Sequence, residues 1–242
     1  PCRLNSRRLP KKPIIKVENL PLIIHTYRRA KLAKKLKEVF ICCDSKEVMD
    51  LAKKYNAKAI LTSKNHKCGT DRIYEGYLKS KINYDQIIDI QGDETLIDPK
   101  NIDKVVEYHR KNKYSDIILP NLITKNKNDS NIVKVIFNKK KEVIYLTRSN
   151  SPHPFRKKID KIFKHLSVIS FKPTALKKFS KNGRSKLEAI EDVELLRAID
   201  IGLKIKTFPL KGESFSIDIP KNLKDFRKKI RFDKYHKIYS ET

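Results

Sequence analysis

The feature that most constrains the fold is an alternation of short apolar runs with amphipathic segments through the first half of the chain. A short uninterrupted apolar run indicates a strand, whereas apolar residues three and four positions apart indicate a helix. The predicted strands are 39–43, 57–62 and 85–90, and the predicted helices are 20–38, 46–56, 70–81 and 99–112. Asp44 and Ser45 offer an N-cap to the second of these helices. The alternation predicts an α/β fold with a mostly parallel sheet covered by helices.

The second half of the chain is richer in predicted strands. Two β-rich runs around the polar turn NKKK indicate a hairpin, and a later amphipathic segment indicates a long helix. The predicted elements are a hairpin at 131–148, a strand at 165–171, a helix at 185–202 that ends near Gly202, a strand at 204–210 and a helix at 219–230. No internal repeat and no clean boundary between two domains is visible, so we expect a single domain over 1–242.

The formal charge of +28 allows two functional classes. A basic chain can bind nucleic acid by neutralising phosphates, or it can attract small anionic substrates to a generally basic surface. The 43 lysines and 13 arginines are spread along the whole chain instead of forming one arm, which favours the basic surface. No apolar run approaches the roughly 20 residues of a membrane span. No signal peptide is visible, so we expect a cytoplasmic protein without membrane insertion.

The cysteines give no sign of a metal site. Cys2, Cys42, Cys43 and Cys68 match no zinc-binding spacing. We therefore expect reduced thiols that pack in the interior, as is usual in the cytoplasm.

The first segment, PCRLNSRRLPKKP, combines several basic side chains with three prolines. The prolines exclude a regular helix. The segment is therefore either a basic tail or a loop that binds a polyphosphate. A phosphate-binding loop in an α/β fold follows a strand, so we also expect a strand to precede Pro1.

Two carboxylates lie where predicted strands end. Asp93 follows the apolar strand of IIDIQGDETLIDP, and Gly92 beside it permits a tight turn. Asp218 ends the β-like run of SFSIDIP and precedes a helix that starts on Pro220. Each could cap a turn or a helix, and each could instead bind Mg²⁺, which one or two carboxylates commonly hold together with phosphate oxygens.

Seven ordered segments carry a resemblance to a known family. They resemble the motifs of sugar-activating nucleotidyltransferases, and most closely those of the 3-deoxy-manno-octulosonate (Kdo) cytidylyltransferases. The segments are PCRLNSRRLPKKP, TSKNHKCGTDRIYE, IIDIQGDETLIDP, NIVKVIFNKKKEVIYLTRS, HLSVISF, SKLEAIEDVELLRAIDIGLKI and SFSIDIPKNLKDFR. They follow the family's order and spacing and cover nearly the whole chain.

The resemblance implies a fold, a reaction and partners. The implied fold is a three-layer, Rossmann-like nucleotidyltransferase domain with a smaller β-rich lobe at roughly 125–205 for sugar binding and dimerisation. The implied reaction transfers a cytidylyl group from CTP to the anomeric hydroxyl of Kdo, giving CMP-Kdo and pyrophosphate for lipopolysaccharide synthesis. Mg²⁺ is the implied cofactor, a homodimer is the implied assembly, and no nucleic acid is expected as a partner.

The resemblance also implies roles for individual residues. Catalytic roles fall on Arg3, Lys12, Asp93 and Asp218, of which the two aspartates are the implied Mg²⁺ ligands. Nucleotide binding falls on Arg3, Ser6, Lys12, Thr70, Arg72 and Gln91, and Arg7 is a further basic match in the loop. Sugar-acid binding falls on Gln91, Arg148, His165 and Glu188. Apart from the resemblance, an arginine suits a carboxylate, and a histidine such as His165 is more often structural.

The sequence departs from the family's pattern in the segments implied for the sugar. Ile169 and Ser167 replace a tyrosine and a glycine, Ser216 and Ile219 replace a glycine and a threonine, and SNSPHPFRK replaces the usual segment after the hairpin. The acceptor could therefore be 8-amino-Kdo or a sialic-type acid. The sequence also leaves open a basic nucleic-acid-binding protein and an inactive homologue.

Overall fold

The computed structural model describes residues 1–6, 8–126 and 128–240 of the chain, which forms two compact units. The first unit contains Pro1–Asn83, Ile90–Asp103 and Glu213–Thr242. The second unit contains Tyr84–Asp89 and Lys104–Gly212. The expected single domain with a smaller lobe at 125–205 stays a prediction.

Strands and helices alternate over residues 20–124. The strands are β1 (Lys16–Val17), β2 (Leu20–Pro21), β3 (Ile41–Cys43), β4 (Ala59–Leu61), β5 (Ile87–Ile90), β6 (Ile117–Thr124), β7 (Lys134–Phe137), β8 (Val143–Thr147), β9 (Ile162–His165), β10 (Val168–Phe171) and β11 (Ile205–Pro209). The helices are α1 (Leu22–Lys31), α2 (Lys46–Lys54), α3 (Gly69–Ser80), α4 (Pro99–Lys111), α5 (Pro173–Lys181), α6 (Lys186–Glu191), α7 (Leu195–Asp200), α8 (Pro220–Ile230) and α9 (Lys234–Ser240), and a short 3-10 helix spans Lys12–Ile14.

The first unit is built on β3 and β4, which pair in parallel along their whole length. Cys2 forms a parallel bridge to Cys43, so the chain enters the basic loop at the carboxyl end of β3. Apolar side chains of α1 and α2, among them Ile24 and Val48, are fully buried beside these strands. The predicted cap on α2 is confirmed, because Ser45 Oγ accepts a hydrogen bond from the Val48 backbone N–H at 3.2 Å. All four cysteines are free and buried, as predicted.

The second unit contains most of a seven-stranded sheet in the order β5-β10-β6-β9-β7-β8, with β11 also paired to β6. β10 and β9 share one edge of β6 in antiparallel pairing, and β11 runs parallel along the other edge. The predicted hairpin is confirmed as the antiparallel pair β7 and β8. The α/β class is therefore confirmed, although the described pairings make this sheet mixed instead of mostly parallel.

Three predicted elements are shorter or divided. The first helix ends at Lys31, after which the backbone N–H groups of Lys34 and Lys35 bond to Asp103. The strand predicted at 165–171 is the pair β9 and β10. The helix predicted at 185–202 is divided into α6 and α7 because Asp192 adopts a left-handed conformation.

Several elements were not predicted from the sequence, among them β6, α5 and α9. Six successive residues of β6 are buried, so the strand lacks the alternation of polar and apolar residues that would identify it. Helix α9 buries only Tyr239, so its sequence has no broad apolar face. Within 1–6, 8–126 and 128–240, no helix combines the length and the apolar character needed to cross a membrane.

Candidate active site

In the first unit, two carboxylates meet one ammonium group from the basic loop. Lys12 Nζ lies 2.7 Å from Asp93 Oδ2 and 3.5 Å from Asp218 Oδ1. Lys12 opens the 3-10 helix, Asp93 follows β5, and Asp218 precedes α8. The three side chains are 17%, 25% and 33% exposed, so the cluster is only partly withdrawn from water. A charged ligand can therefore reach it.

The backbone holds the two carboxylates in this position. The Ile217 N–H donates to the Asp93 carbonyl at 3.3 Å, which ties the segment before Asp218 to the turn after β5. Gly92 permits the close approach of this turn to Pro1, since a Cβ there would lie 2.7 Å from the Pro1 carbonyl oxygen and 3.0 Å from Ile23 Cδ1. A larger residue at this position would displace the start of the basic loop.

Ser216, which departs from the family pattern, has a structural contact in this region. Its hydroxyl donates to Glu94 Oε1 at 2.8 Å, and Ser214 donates to the same oxygen at 3.0 Å. Glu94 is buried directly after Asp93. The serine hydroxyls therefore fasten the segment 214–217 to the strand end that presents Asp93.

The side chain of Asp218 contacts the basic loop and makes no described bond that caps α8. Its carboxylate accepts hydrogen bonds from Arg8 Nη2 at 2.9 Å and from Lys12, whereas Asn222 accepts from the backbone N–H groups of Asp218 and Ile219. Asn222, rather than Asp218, thus satisfies the start of α8. The side chain of Asp218 faces the cations of the loop, as that of Asp93 does.

The beginning of the loop is fixed by other contacts of the first unit. Arg3 Nη2 donates to the His66 carbonyl at 2.6 Å. The Leu4 N–H donates to Asp44 Oδ1 at 3.0 Å, and Arg72 Nη2 lies 3.5 Å from the other oxygen of that carboxylate. Arg72 is fully buried, and its Nη1 also donates to Thr62 Oγ1 at 2.7 Å. Arg72 therefore positions the basic loop through Asp44.

The remaining predicted nucleotide residues lie near the same segments. Thr70 is buried in the first turn of α3, Ser6 is half-buried in the loop, and Gln91 is half-buried directly after β5. Arg7 lies outside the described residues.

Sequence reasoning missed the support that two carboxylates give this region: Asp44 was named only as a possible helix cap, and Glu75 was not named. Glu75 accepts hydrogen bonds from the Ser63 N–H and from His66 Nε2, and it pairs with Lys79. Burial raises the pKa of Glu75, but the bonds from Lys79, Ser63 and His66 outweigh it and lower that pKa to about 2. The only available signal was the position of Glu75 one helical turn after Arg72.

In the second unit, Glu188 forms a buried ion pair. Its two oxygens accept from Arg197 Nη2 and Nε, each at 2.8 Å. Glu188 also closes a capping box with Ser185 at the start of α6, and the Arg197 guanidinium stacks 4.2 Å above the ring of Phe179. These contacts hold α6, α7 and α5 together.

Arg148 in the second unit bonds to backbone carbonyls. Its guanidinium donates to the carbonyls of Ser130, Asn131, Glu191 and Asp192 at 2.9 to 3.4 Å. The two last contacts explain the break between α6 and α7, because they draw these carbonyls away from helical bonding.

The buried Lys134 bonds to the backbone at Arg148. Its ammonium donates to the carbonyls of Asp129 and Arg148 at 2.8 Å each. Burial lowers the pKa of Lys134. Backbone carbonyl oxygens are therefore the main described partners of both Lys134 and Arg148.

His165 ends β9, directly across the sheet from Asn121 in β6. Burial, with smaller effects from the charges of Lys164 and Arg148, lowers the pKa of His165 to about 4. The imidazole is therefore neutral at physiological pH.

The structure thus brings the predicted residues together in three groups. Lys12, Asp93 and Asp218 meet directly, Arg3 and Arg72 make contacts that fix the start of the basic loop, and Arg148 lies close enough to His165 to influence its pKa. Glu188 bonds to Arg197 instead of to any of these. The functional roles of all these residues stay predictions.

The residues at the carboxylate pair fit a magnesium ion by their chemistry. Mg²⁺ prefers oxygen ligands, takes one or two carboxylates, and completes its shell with water and phosphate oxygens. Asp93 and Asp218 already converge on one positive charge. In the described part of the chain no group of three or more His, Cys, Asp and Glu side chains could hold a metal ion, so an ion at this pair would depend on further ligands from a substrate.

Comparisons with known proteins identify the family to which the chain belongs. A family model described as cytidylyltransferase matches residues 1–205. A 3-deoxy-manno-octulosonate cytidylyltransferase of Thermodesulfovibrio yellowstonii is 36% identical over 92% of this chain and 93% of its own. An 8-amino-3,8-dideoxy-manno-octulosonate cytidylyltransferase of Shewanella pealeana is 30% identical over 93% and 94%. A solved structure of CMP:2-keto-3-deoxy-manno-octonic acid synthetase complexed with CTP superposes with a TM-score of 0.89 at 27% identity, covering 96% of both chains.

Proposed function

The chain belongs to the 3-deoxy-manno-octulosonate cytidylyltransferase family, and from that premise we propose that it transfers the cytidylyl group of CTP to the anomeric hydroxyl of Kdo. The hydroxyl oxygen forms a bond to the α-phosphorus of CTP. The bond from that phosphorus to the oxygen that bridges it to the β-phosphorus breaks. CMP-Kdo and pyrophosphate are the products, and the hydroxyl proton leaves to solvent or to pyrophosphate.

The observation that supports this proposal most is the meeting of Lys12 with Asp93 and Asp218. A basic loop faces a pair of carboxylates, and both are partly open to solvent. A nucleoside triphosphate with a divalent cation needs this combination, because the cations of the loop bind phosphate oxygens and the carboxylates bind the metal. A basic tail would not require two carboxylates at the ends of separate segments.

We propose Mg²⁺ as the cofactor, held by Asp93 and Asp218. When bound, it would neutralise negative charge on the phosphates and so stabilise the leaving pyrophosphate.

The chain's own residues bind and orient the nucleotide. Lys12, Arg8 and Arg3 supply positive charge along the loop, and the contacts of Arg72, Asp44 and Leu4 fix where that loop begins. Phosphoryl-type transfer depends mainly on positioning and electrostatic stabilisation, so a loop fixed before the substrate arrives lowers the cost of reaching the transition state. We propose that Thr70 and Gln91 contribute to the same nucleotide site.

Kdo is the proposed acceptor, and 8-amino-Kdo is the second candidate because two relatives, both from Shewanella species, are named for it. The substituted positions Ser167 and Ile169 lie at β10 and the loop before it, and Ile169 is buried. We propose that Arg148, His165 and Glu188 form a sugar-acid site within the second unit. Glu188 bonds to Arg197 and Arg148 bonds to backbone carbonyls, so the first effect of both side chains is to hold the segments around that site in place.

We further propose that the enzyme acts in the cytoplasm as a homodimer and supplies CMP-Kdo for lipopolysaccharide synthesis. The motif resemblance supports these three statements. Light scattering coupled to size-exclusion chromatography tests the dimer, for which a mass near twice 28.3 kDa is expected.

The experiment that tests the proposed function is pyrophosphate release from CTP with Mg²⁺ and Kdo, run beside 8-amino-Kdo and a sialic acid. Release that is fastest with Kdo is expected. Release only with another acid would keep the reaction and change the acceptor. No release with any of them, together with steeply salt-dependent binding of DNA or RNA, would replace the proposal by nucleic-acid binding.

A further inference from the structure

Two buried polar atoms on neighbouring strands of the second unit have no hydrogen-bond partner among the described residues. One is Oδ1 of Asn121 in β6, whose residue is 1% exposed, and the other is Nε2 of His165 in β9. Asn121 and His165 are paired directly opposite each other in the antiparallel ladder. Residues opposite each other point to the same face of a sheet with their Cβ atoms about 5 Å apart. The two side chains therefore lie on the same face of the sheet, at neighbouring positions.

The contacts within the fold do not explain why a side-chain amide is buried at position 121. Its Nδ2 donates to Thr207 Oγ1 at 2.7 Å, and this is its one described side-chain bond. If the amide is turned over, the hydroxyl of Thr207 can donate to the oxygen, and the nitrogen is then left over. In either orientation one polar atom stays unpaired in the interior, which is costly compared with a leucine of similar size. A bound group that pairs with the amide removes this cost.

The chemistry of the two side chains identifies the group they can take. The pKa of His165 is lowered to about 4, so its imidazole is neutral and can donate one hydrogen bond. The amide oxygen of Asn121 accepts one. A hydroxyl group both donates and accepts, so it can bond to both side chains at once. The charged groups that act on this imidazole are Lys164 on its own strand and Arg148 after β8. Both are cations, which keep the imidazole neutral.

We propose that Asn121 and His165 together bind one hydroxyl group of the sugar acid, and that Asn121 is a specificity-determining residue of the enzyme. This inference rests on the proposed function. Asn121 belongs to none of the seven motif segments, so the resemblance assigns it no role. With this role for Asn121, β6 contributes to the substrate site as well as to the centre of the sheet.

The first test compares Asn121→Leu with Thr207→Val. Both substitutions remove the bond between Asn121 and Thr207, but only the first removes the amide at the position opposite His165. For Asn121→Leu we expect the KM for Kdo to rise about tenfold, the loss of one hydrogen bond, with the KM for CTP within twofold of wild type. Thr207→Val should leave the KM for Kdo within threefold. Equal increases in both variants, or no increase in Asn121→Leu, would overturn the proposal.

A second measurement uses the unmodified protein, so it does not depend on whether a variant folds. The side-chain amide resonance of Asn121, identified by its loss in Asn121→Asp, should shift when Kdo is added and stay in place when CTP is added. No shift with Kdo, 8-amino-Kdo or a sialic acid would overturn the proposal. A shift with one of these acids in a protein that releases no pyrophosphate would support this inference while contradicting the proposed function.

Discussion

Two groups of charged side chains, one in each unit, differ in how far they are exposed to water. In the first unit, Lys12 meets Asp93 and Asp218 where all three are partly exposed. In the second unit, Glu188 and Arg197 are 4% and 2% exposed and bond through two parallel hydrogen bonds. Exposed ion pairs contribute little to stability and exchange partners easily, whereas breaking a buried pair leaves an uncompensated charge.

This difference indicates how each half of the enzyme is organised. The charges of Lys12, Asp93 and Asp218 can leave one another and bind phosphate or metal, because water already screens them. The charges of Glu188 and Arg197 are buried and hold their helices together. Substitutions at Asp93 should therefore change turnover with little change in stability, whereas the first effect of substitutions at Glu188 should be a loss of stability.

The largest expected effect follows from Asp93→Asn. The substitution removes a proposed metal ligand while keeping the size of the side chain, so we expect pyrophosphate release to fall about a thousandfold, equivalent to roughly 4 kcal/mol. The free energy of unfolding in urea should change by less than about 1 kcal/mol, because the pair with Lys12 is partly exposed. Asp50→Asn, an exposed aspartate of α2 in the same unit, is the matched control and should leave both quantities unchanged. Near-normal turnover in Asp93→Asn would remove Asp93 from the metal site.

The next largest effect follows from Glu188→Gln. The guanidinium of Arg197 would stay buried without its counter-charge, and we expect the free energy of unfolding to fall by about 3 kcal/mol. The control is Glu213→Gln, which weakens an exposed pair with Lys229 and should cost less than about 0.5 kcal/mol. Urea unfolding of both variants measures the difference. A loss of Kdo turnover in Glu188→Gln at unchanged stability would mean that Glu188 contacts substrate directly, and the comparison between the units would then be wrong.

The sequence predicted the first-unit site better than the second-unit site for a physical reason. Asp93 and Asp218 each follow a strand-like run, and strand ends are where α/β proteins place ligands, so their convergence could be expected. Ser45 was recognisable as a cap because capping is local. These features depend on residues that are close in sequence or on a general rule of the fold.

The second unit depends on contacts that no local pattern encodes. The helix predicted at 185–202 breaks because Arg148, more than 40 residues earlier, bonds to the carbonyls of Glu191 and Asp192. Strand β6 lacked alternation because it is buried on both faces. Because β6 was not predicted, the pairing of Asn121 with His165 could not be anticipated, and the Asn121 amide could not be recognised as part of a site.

A smaller effect concerns a buried histidine of the first unit. His25 bonds to Tyr239 Oη and to the Val17 carbonyl, and burial lowers its pKa to about 4. An unfolded histidine has a pKa near 6.5. The unfolded chain therefore binds more protons than the folded chain between these values, and the free energy of unfolding falls as the pH falls. We expect His25 to contribute a loss of about 2 kcal/mol between pH 8 and pH 5.

Urea unfolding at both pH values, for wild type and for His25→Gln, measures this contribution. The variant should lose about 2 kcal/mol less than wild type over the same interval. His165→Gln should reduce the loss by a similar amount, since burial lowers the pKa of that imidazole to about 4 as well. An identical pH dependence in wild type and His25→Gln would show that His25 is protonated equally in both states.

The smallest expected effect belongs to another ion pair of the basic loop. Lys11 Nζ lies 3.1 Å from Glu47 Oε1, and the two side chains are 62% and 45% exposed. Because water and salt screen such a pair, Lys11→Met should lower the free energy of unfolding by less than about 0.5 kcal/mol. Lys11 also makes no described contact with Asp93 or Asp218, so turnover at saturating CTP should stay within twofold of wild type. Lys12→Met is the matched comparison, one residue away on the same loop, and should reduce turnover at least tenfold with a similarly small change in stability. If Lys11→Met reduces turnover as much as Lys12→Met does, then the loop acts through its total charge, and the specific meeting of Lys12 with the two carboxylates is not what organises the site.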